Sequence, residues 1–160
     1  MAMTSKQRIA AATALATAIA VPAEGLRQFA YYDPPAILTV CYGHTGPDVV
    51  KGRKYSLAEC DRFLTNDMRV AITQVDRCVP GLPVPVLAAF SDAAFNIGPK
   101  VACDTRNSTA ARHLKAGNYA AACAQLPRWD KARVMGVMVA LPGLTKRREA
   151  ERNLCMVGAV

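Results

Sequence analysis

Residues 24–46 read EGLRQFAYYDPPAILTVCYGHTG, and this stretch decides the fold. Tyr31, Tyr32, Pro34, Pro35, Gly43 and Gly46 are interleaved with short β-type runs such as Ile37 to Tyr42. Aromatic and β-branched residues suit a pleated surface, while Pro and Gly punctuate it, so a small irregular antiparallel sheet with tight turns is predicted. Downstream the period changes. Ser56 and Glu59 form a capping-box pattern, and Leu57, Cys60, Leu64, Met68, Ala71 and Val75 then recur at three- and four-residue spacing. One long helix to about Asp76 follows, ended by Pro80-Gly81. The remainder reads as helical. Pro85 to Ile97 is capped by Gly98, a helix capped by Ser108 or Thr109 stops at Gly117, another starts at Asn118 and ends before Pro127, and a last one spans about Leu144 to Val157. The fold class is therefore α+β. A small β-containing lobe and a larger helical lobe are joined by a long helix, with the ligand site expected in the cleft between them.

The 160 residues suit one domain of ordinary size. With 52% apolar and 20% charged residues, the chain is neither a disordered tail nor a fibrous repeat. A net charge of +8 favours polyanionic surroundings without choosing among nucleic acid, anionic lipid and cell wall. The six cysteines, Cys41, Cys60, Cys78, Cys103, Cys123 and Cys155, point to an oxidising compartment and three disulfides, the alternative being buried free thiols. Their wide spacing, with His44 and His113 as the only histidines, argues against a metal site, and no cofactor motif is present.

Between Arg8 and Glu24 lies the uncharged, Ala- and Thr-rich stretch Ile9–Ala23. As a helix it would be about 22 Å long, short of a hydrocarbon core of about 30 Å. Alanine contributes little transfer free energy, so its partition into lipid is weak. Two readings remain: a weak export anchor, or an Ala-rich helix lying on the domain.

Glu24, Asp33 and Thr39 carry the chemistry. Two carboxyls on different elements across a cleft are what acid-assisted glycoside hydrolysis requires, one protonated to donate to the leaving oxygen and one ionised near the anomeric centre. A threonine beside the second can hold a water. Alone, the spacing is a weak signal, because Glu24 could end a helix and Asp33 could make an Asx-turn. Its surroundings are more specific. Glu24-Gly25-Leu26-Arg27, Ala30-Tyr31-Tyr32-Asp33-Pro34, Leu38-Thr39-Val40 and Gly43-His44-Thr45-Gly46 resemble the phage-type lysozyme family of bacteriophage endolysins. The resemblance continues through Ala94-Phe95-Asn96-Ile97-Gly98, Arg128-Trp129 and the run from Pro142 to Arg152, spanning about Glu24 to Cys155.

The resemblance implies a two-lobed, lysozyme-like fold over residues 24–160, acting on peptidoglycan as a muramidase that cleaves between N-acetylmuramic acid and N-acetylglucosamine. Glu24 matches the general acid, and Asp33 and Thr39 match the pair that positions the attacking water. Asn96 matches a cleft-lining polar position, open between sugar contact and helix capping. His44 and Asp67 match a structural ion pair, expected to weaken once the imidazole loses its proton. Family resemblance and element proximity favour the pairings Cys41–Cys60, Cys78–Cys103 and Cys123–Cys155. Trp129 reads as core rather than a sugar platform. The basic run Lys146 to Arg152 reads as a solvated face that also attracts anionic wall polymer, with one arginine near Glu24.

Residues 1–23 further resemble the N-terminus of signal-anchor-release endolysins, which is exported uncleaved and later leaves the bilayer. Pro22 and the short length depart from that group, and the segment has no cysteine. The expected location is the periplasm of the infected bacterial host, initially tethered to the inner membrane. The expected partners are peptidoglycan and, transiently, that membrane, with the protein a monomer. Two alternatives remain: a lytic transglycosylase, which Asp33 and Thr39 oppose, and a non-catalytic basic membrane-active or wall-binding protein. Nucleic acid is excluded as a partner, because the few aromatics are not interleaved with the arginines.

Overall fold

A computed structural model describes residues 1–160. Helix α1 spans Ser5–Glu24 and is opened by a capping box between Thr4 and Gln7. A three-stranded antiparallel sheet follows, made of β1 (Arg27–Tyr32), β2 (Leu38–Cys41) and β3 (His44–Thr45), with β2 in the centre. The long α2 (Leu57–Cys78) starts at Ser56, whose side chain accepts from the Glu59 amide while Glu59 reaches back to the Ser56 amide. Then come α3 (Val84–Ile97), α4 (Lys100–Cys103), α5 (Thr109–Lys115), α6 (Tyr119–Gln125) and a 3-10 turn (Leu126–Trp129). Ser108 supplies the cap of α5, accepting from the Ala111 amide at 3.1 Å. The chain ends with β4 (Lys131–Val134), β5 (Val137–Ala140) and α7 (Pro142–Gly158).

The expectation that everything beyond α2 is helical is corrected by β4 and β5. These pair antiparallel, with Val134 opposite Val137 and Lys131 opposite Ala140. The turn between them places Met135 at φ 48° and Gly136 at φ 82°. A two-residue turn with both φ values positive matches strand twist, and Gly136 flanked by alternating valines is the corresponding sequence signal. Helix α7 consequently starts at Pro142, in the first turn, where a missing amide hydrogen costs nothing.

Helix α3 is the hub of the helical lobe. It packs against α1, α2 and α7, and every residue from Val86 to Ala94 is buried. Helix α1 joins the same core through Ala12, Ala16 and Ala20, a ridge of small side chains at four-residue spacing that lets two helices approach closely. Beside that ridge, the Thr13 and Thr17 hydroxyls donate to the carbonyls of Ile9 (2.7 Å) and Thr13 (2.8 Å), so their polarity is satisfied within the helix. At its N-terminal end Arg8 reaches Asp76 of α2 at 3.3 Å. Disulfides join Cys41 to Cys60, Cys78 to Cys103 and Cys123 to Cys155. The first ties β2 to α2; the others tie elements within the helical lobe.

Candidate active site

Glu24 is the last residue of α1, and Gly25 leaves the helix with φ 71°. Its Oε1 accepts from Arg147 at 2.6 Å. Gly43, after β2, closes on the other carboxyl oxygen: a Cβ there would lie 3.3 Å from Glu24 Oε2, and φ is 79°. Glycine is needed on both counts. Gly43 and Thr45 form one wall of a groove of about 290 Å³, with Asp67, Val70, Ala71 and Gln74 of α2 and Ala94 and Phe95 of α3 forming the rest. Glu24 thus has one oxygen tied to α7 and the other against Gly43, which lines the groove.

Asp33 and Thr39 meet around the peptide of Ile37. Asp33 Oδ1 accepts from the Ile37 amide at 2.9 Å, while the Thr39 hydroxyl donates to the Ile37 carbonyl at 2.9 Å. Asp33 therefore does form the turn-capping contact, and the residue is half-buried. Thr39, on the central strand, lies opposite both Tyr31 and Thr45 and is 3% exposed. Directly paired residues project from the same face of a sheet, so Thr39 shares its face with the groove-lining Thr45.

The strongest electrostatic feature lies behind Glu24. Arg147 is 4% exposed, and its Nε and second terminal nitrogen donate to Asp92 at 2.9 and 2.8 Å. Asp92 on α3 is fully buried. Burial alone would lower the Arg147 pKa. The hydrogen bonds and charges of Asp92 and Glu24 outweigh it and raise the pKa further, so the guanidinium is a fixed cation. The next residue, Arg148, donates to Asn96 (2.9 Å) and Glu151 (2.6 Å). Burial, with help from neighbouring Asp92, holds the Glu151 carboxyl well above the ordinary carboxylate range. Arg147 and Arg148 overturn the expected solvated face at these two positions, because the inward stripe of α7 faces the acidic and amide groups of α3. Arg147 is the arginine of the basic run expected near Glu24, whereas its partner Asp92 was not singled out from the sequence. A signal existed: Asp92 is the only charge between Pro85 and Ile97.

Asn96 is held at the seam between α3 and α7 by Arg148 and caps nothing through its oxygen. His44 stacks on Phe63 with ring centroids 4.1 Å apart. Its Nδ1 lies 2.7 Å from Asp67, and its Nε2 lies 2.9 Å from Asp48, a partner absent from the sequence reading. A ring facing carboxylates with both nitrogens is served best as imidazolium. Burial would lower its pKa, but the two carboxylates overcome that and raise it. Trp129 is half-buried against the main core.

The phage lysozyme family model matches residues 21–151. A SAR-endolysin of Bacteriophage PS119 is 36% identical over 136 residues, covering 84% of this chain and 77% of the relative. Among solved structures, the active form of the P1 phage endolysin Lyz superimposes with TM-score 0.77 at 24% identity, covering 91% of this chain and 85% of that one. The secreted inactive form of the same endolysin gives only 0.52 at 25% identity, covering 72% and 78%. With the family match spanning from the end of α1 into α7, and SAR-endolysins aligned over most of its length, the chain belongs to the phage lysozyme family and to its SAR-endolysin group.

Proposed function

We propose that the protein is an endolysin that hydrolyses the β-1,4 bond between N-acetylmuramic acid and N-acetylglucosamine in peptidoglycan, acting as a monomer in the periplasm of the infected host. The observation that carries this reading is the split role of the Glu24 carboxyl: Oε1 is fixed by Arg147, and Oε2 lies against Gly43, a residue of the groove wall. When protonated, Oε2 delivers its proton to the glycosidic oxygen as the C1–O bond breaks. Water attacks C1, and Asp33, with Thr39 beside it, orients that water and receives its proton. The two are coupled through Ile37, so the water-positioning pair moves as a unit with the β1–β2 turn. Asn96 stands ready to meet sugar near the α3 end of the groove.

Glu24→Gln is expected to abolish turbidity loss on permeabilised Gram-negative cells while leaving far-UV circular dichroism and thermal unfolding nearly unchanged. Near-normal clearing by that variant would refute the role of Glu24, and would favour the non-catalytic wall-binding alternative. Muropeptides with hydrated reducing ends are expected. Anhydro ends would instead indicate a transglycosylase, leaving Asp33 and Thr39 without a water to place.

The same reading assigns residues 1–23 to a signal anchor that tethers the enzyme to the inner membrane before release. No helix in the structure is long and apolar enough to cross a membrane. A weak anchor of this kind leaves lipid readily. The self-satisfied threonines lower its cost in lipid, and the alanine ridge gives it a place on the domain. Between α1 and α7 a cleft of about 280 Å³ remains, and the Glu24–Arg147 bond joins the two helices. Resemblance to the active rather than the secreted inactive P1 form supports taking this arrangement as the released one. Fractionation of expressing cells before and after collapse of the membrane potential tests the tether; protein that never pellets with membranes refutes it.

A further inference from the structure

The β4–β5 hairpin exposes several large apolar side chains next to one another in the chain, away from the termini. Met135 is 98% exposed, Val137 62% and Met138 53%, with Val134 and Val139 also exposed. The register puts Val134, Val137 and Val139 on one face and Met138 on the other, while Met135 forms the tip. No third strand or helix covers either face. An isolated hairpin is marginal on its own, and this one is held at its base. The Leu141 amide donates to the Asp130 carbonyl at 3.1 Å, and the Thr145 hydroxyl donates to the Asp130 carboxylate at 2.8 Å. Arg133 closes the turn by donating to the Gly136 carbonyl at 3.1 Å.

Such a patch on a water-soluble surface marks a contact site. Its shape selects the occupant. One face of the ribbon, with Ala132, Val134, Val137 and Val139, and its tip are apolar, while the other face carries Lys131 and Arg133 beside Met138, the split that suits a ribbon lying in a charged lipid interface. The charges select the sign of the surface: Lys131 and Arg133 lie on the hairpin itself and Arg128 just before it in the chain, against Asp130 alone. Asp130 is already engaged by Thr145 and Lys131.

We propose that the β4–β5 hairpin is a lipid-contacting tip, inserting Met135 and the valine face of Val134, Val137 and Val139 into the interfacial region of an anionic bilayer while Lys131 and Arg133 on the opposite face meet the headgroups. This contact uses none of the groove residues and is separate from any insertion of α1. It holds the folded enzyme against a membrane surface with the helical lobe facing the lipid.

The test uses the full chain with vesicles of phosphatidylglycerol and phosphatidylethanolamine, compared with vesicles of phosphatidylcholine alone. Wild type is expected to co-sediment with the anionic vesicles, and Met135→Asp/Val137→Asp is expected to lower the partition coefficient at least about tenfold. Cleavage of soluble peptidoglycan fragments by the double variant is expected to stay at the wild-type level, showing that it folds. Met135→Trp is expected to gain a blue-shifted emission component on vesicle addition that wild type, with Trp129 alone, lacks. Unchanged vesicle binding by the double variant overturns the proposal and leaves lipid contact to α1. Self-association of wild type that the double variant abolishes, without lipid binding, makes the occupant a second copy and also overturns it. Loss of binding to isolated sacculi with vesicle binding intact overturns it in favour of wall polymer.

Discussion

Replacing Asp92 by Asn tests the buried clamp behind Glu24. Asp92 is fully buried, and both its oxygens accept from Arg147, whose own side chain is 3% exposed. The substitution keeps volume but removes the charge and turns one acceptor into a donor that faces a donor. Arg147 is then a buried cation whose remaining close counter-charge is Glu24, at 22% exposure. Breaking a buried pair from one side costs roughly 3–5 kcal/mol, mostly the penalty of the uncompensated charge. For a chain of this size, about 2–4 °C is lost per kcal/mol, so the melting temperature should fall by roughly 6–20 °C. Urea unfolding at neutral pH with the disulfides intact gives the free energy directly. Removing Arg147 as well, in Asp92→Asn/Arg147→Met, eliminates the orphaned charge. The cycle should then show a coupling energy of about 1–3 kcal/mol. An Asp92→Asn protein within about 1 kcal/mol of wild type, or single effects that simply add, would refute the argument that this pair locks α7 to α3.

Three further outcomes are expected. His44→Asn should destabilise by roughly 1–3 kcal/mol below pH of about 6.5. Because the His44 pKa is raised by folding, its contribution is complete below the unfolded value and lost as pH rises through the folded one. Urea unfolding of both proteins from pH 5.5 upward checks this, and a pH-independent difference would contradict it. Gly43→Ala forces a left-handed conformation on a residue with a side chain, costing about 1–2 kcal/mol. It also presses on Glu24 Oε2, so turnover should drop by roughly tenfold, read as a fall in kcat exceeding any change in KM. Paired Cys41→Ser/Cys60→Ser opens a loop with sequence separation 19 and should cost roughly 3 kcal/mol, with hydrogen exchange quickening first in β2 and β3.

Much of the fold was legible because local rules agree with one another. The Ser56–Glu59 box and the spacing of Cys60, Leu64, Met68, Ala71 and Val75 define α2 from its first turn, and its inward face is the one observed. The β lobe was legible from its turn residues. The β4–β5 hairpin was missed because one glycine between two short valine runs was outweighed by helical sequence on both sides. At the site, Glu24, Asp33 and Thr39 stood out through the motifs around them. The clamp did not, since Asp92 lies in an apolar helix and Arg147 in a basic run that reads as solvated, and their pairing spans 55 residues.

Sequence alone determined which side chains could supply acid–base chemistry, which family they resemble, and that α1 is too weakly apolar to bind lipid strongly; these follow from residue types and near-neighbour spacing. Tertiary structure alone decided that Ile37 joins Asp33 to Thr39, that Gly43 lets the Glu24 carboxyl approach the groove wall, and that Arg147 divides its donors between Asp92 and Glu24. Those relations join residues distant in the chain, or turn on a single backbone angle, and only packing α1, α3 and α7 together creates them.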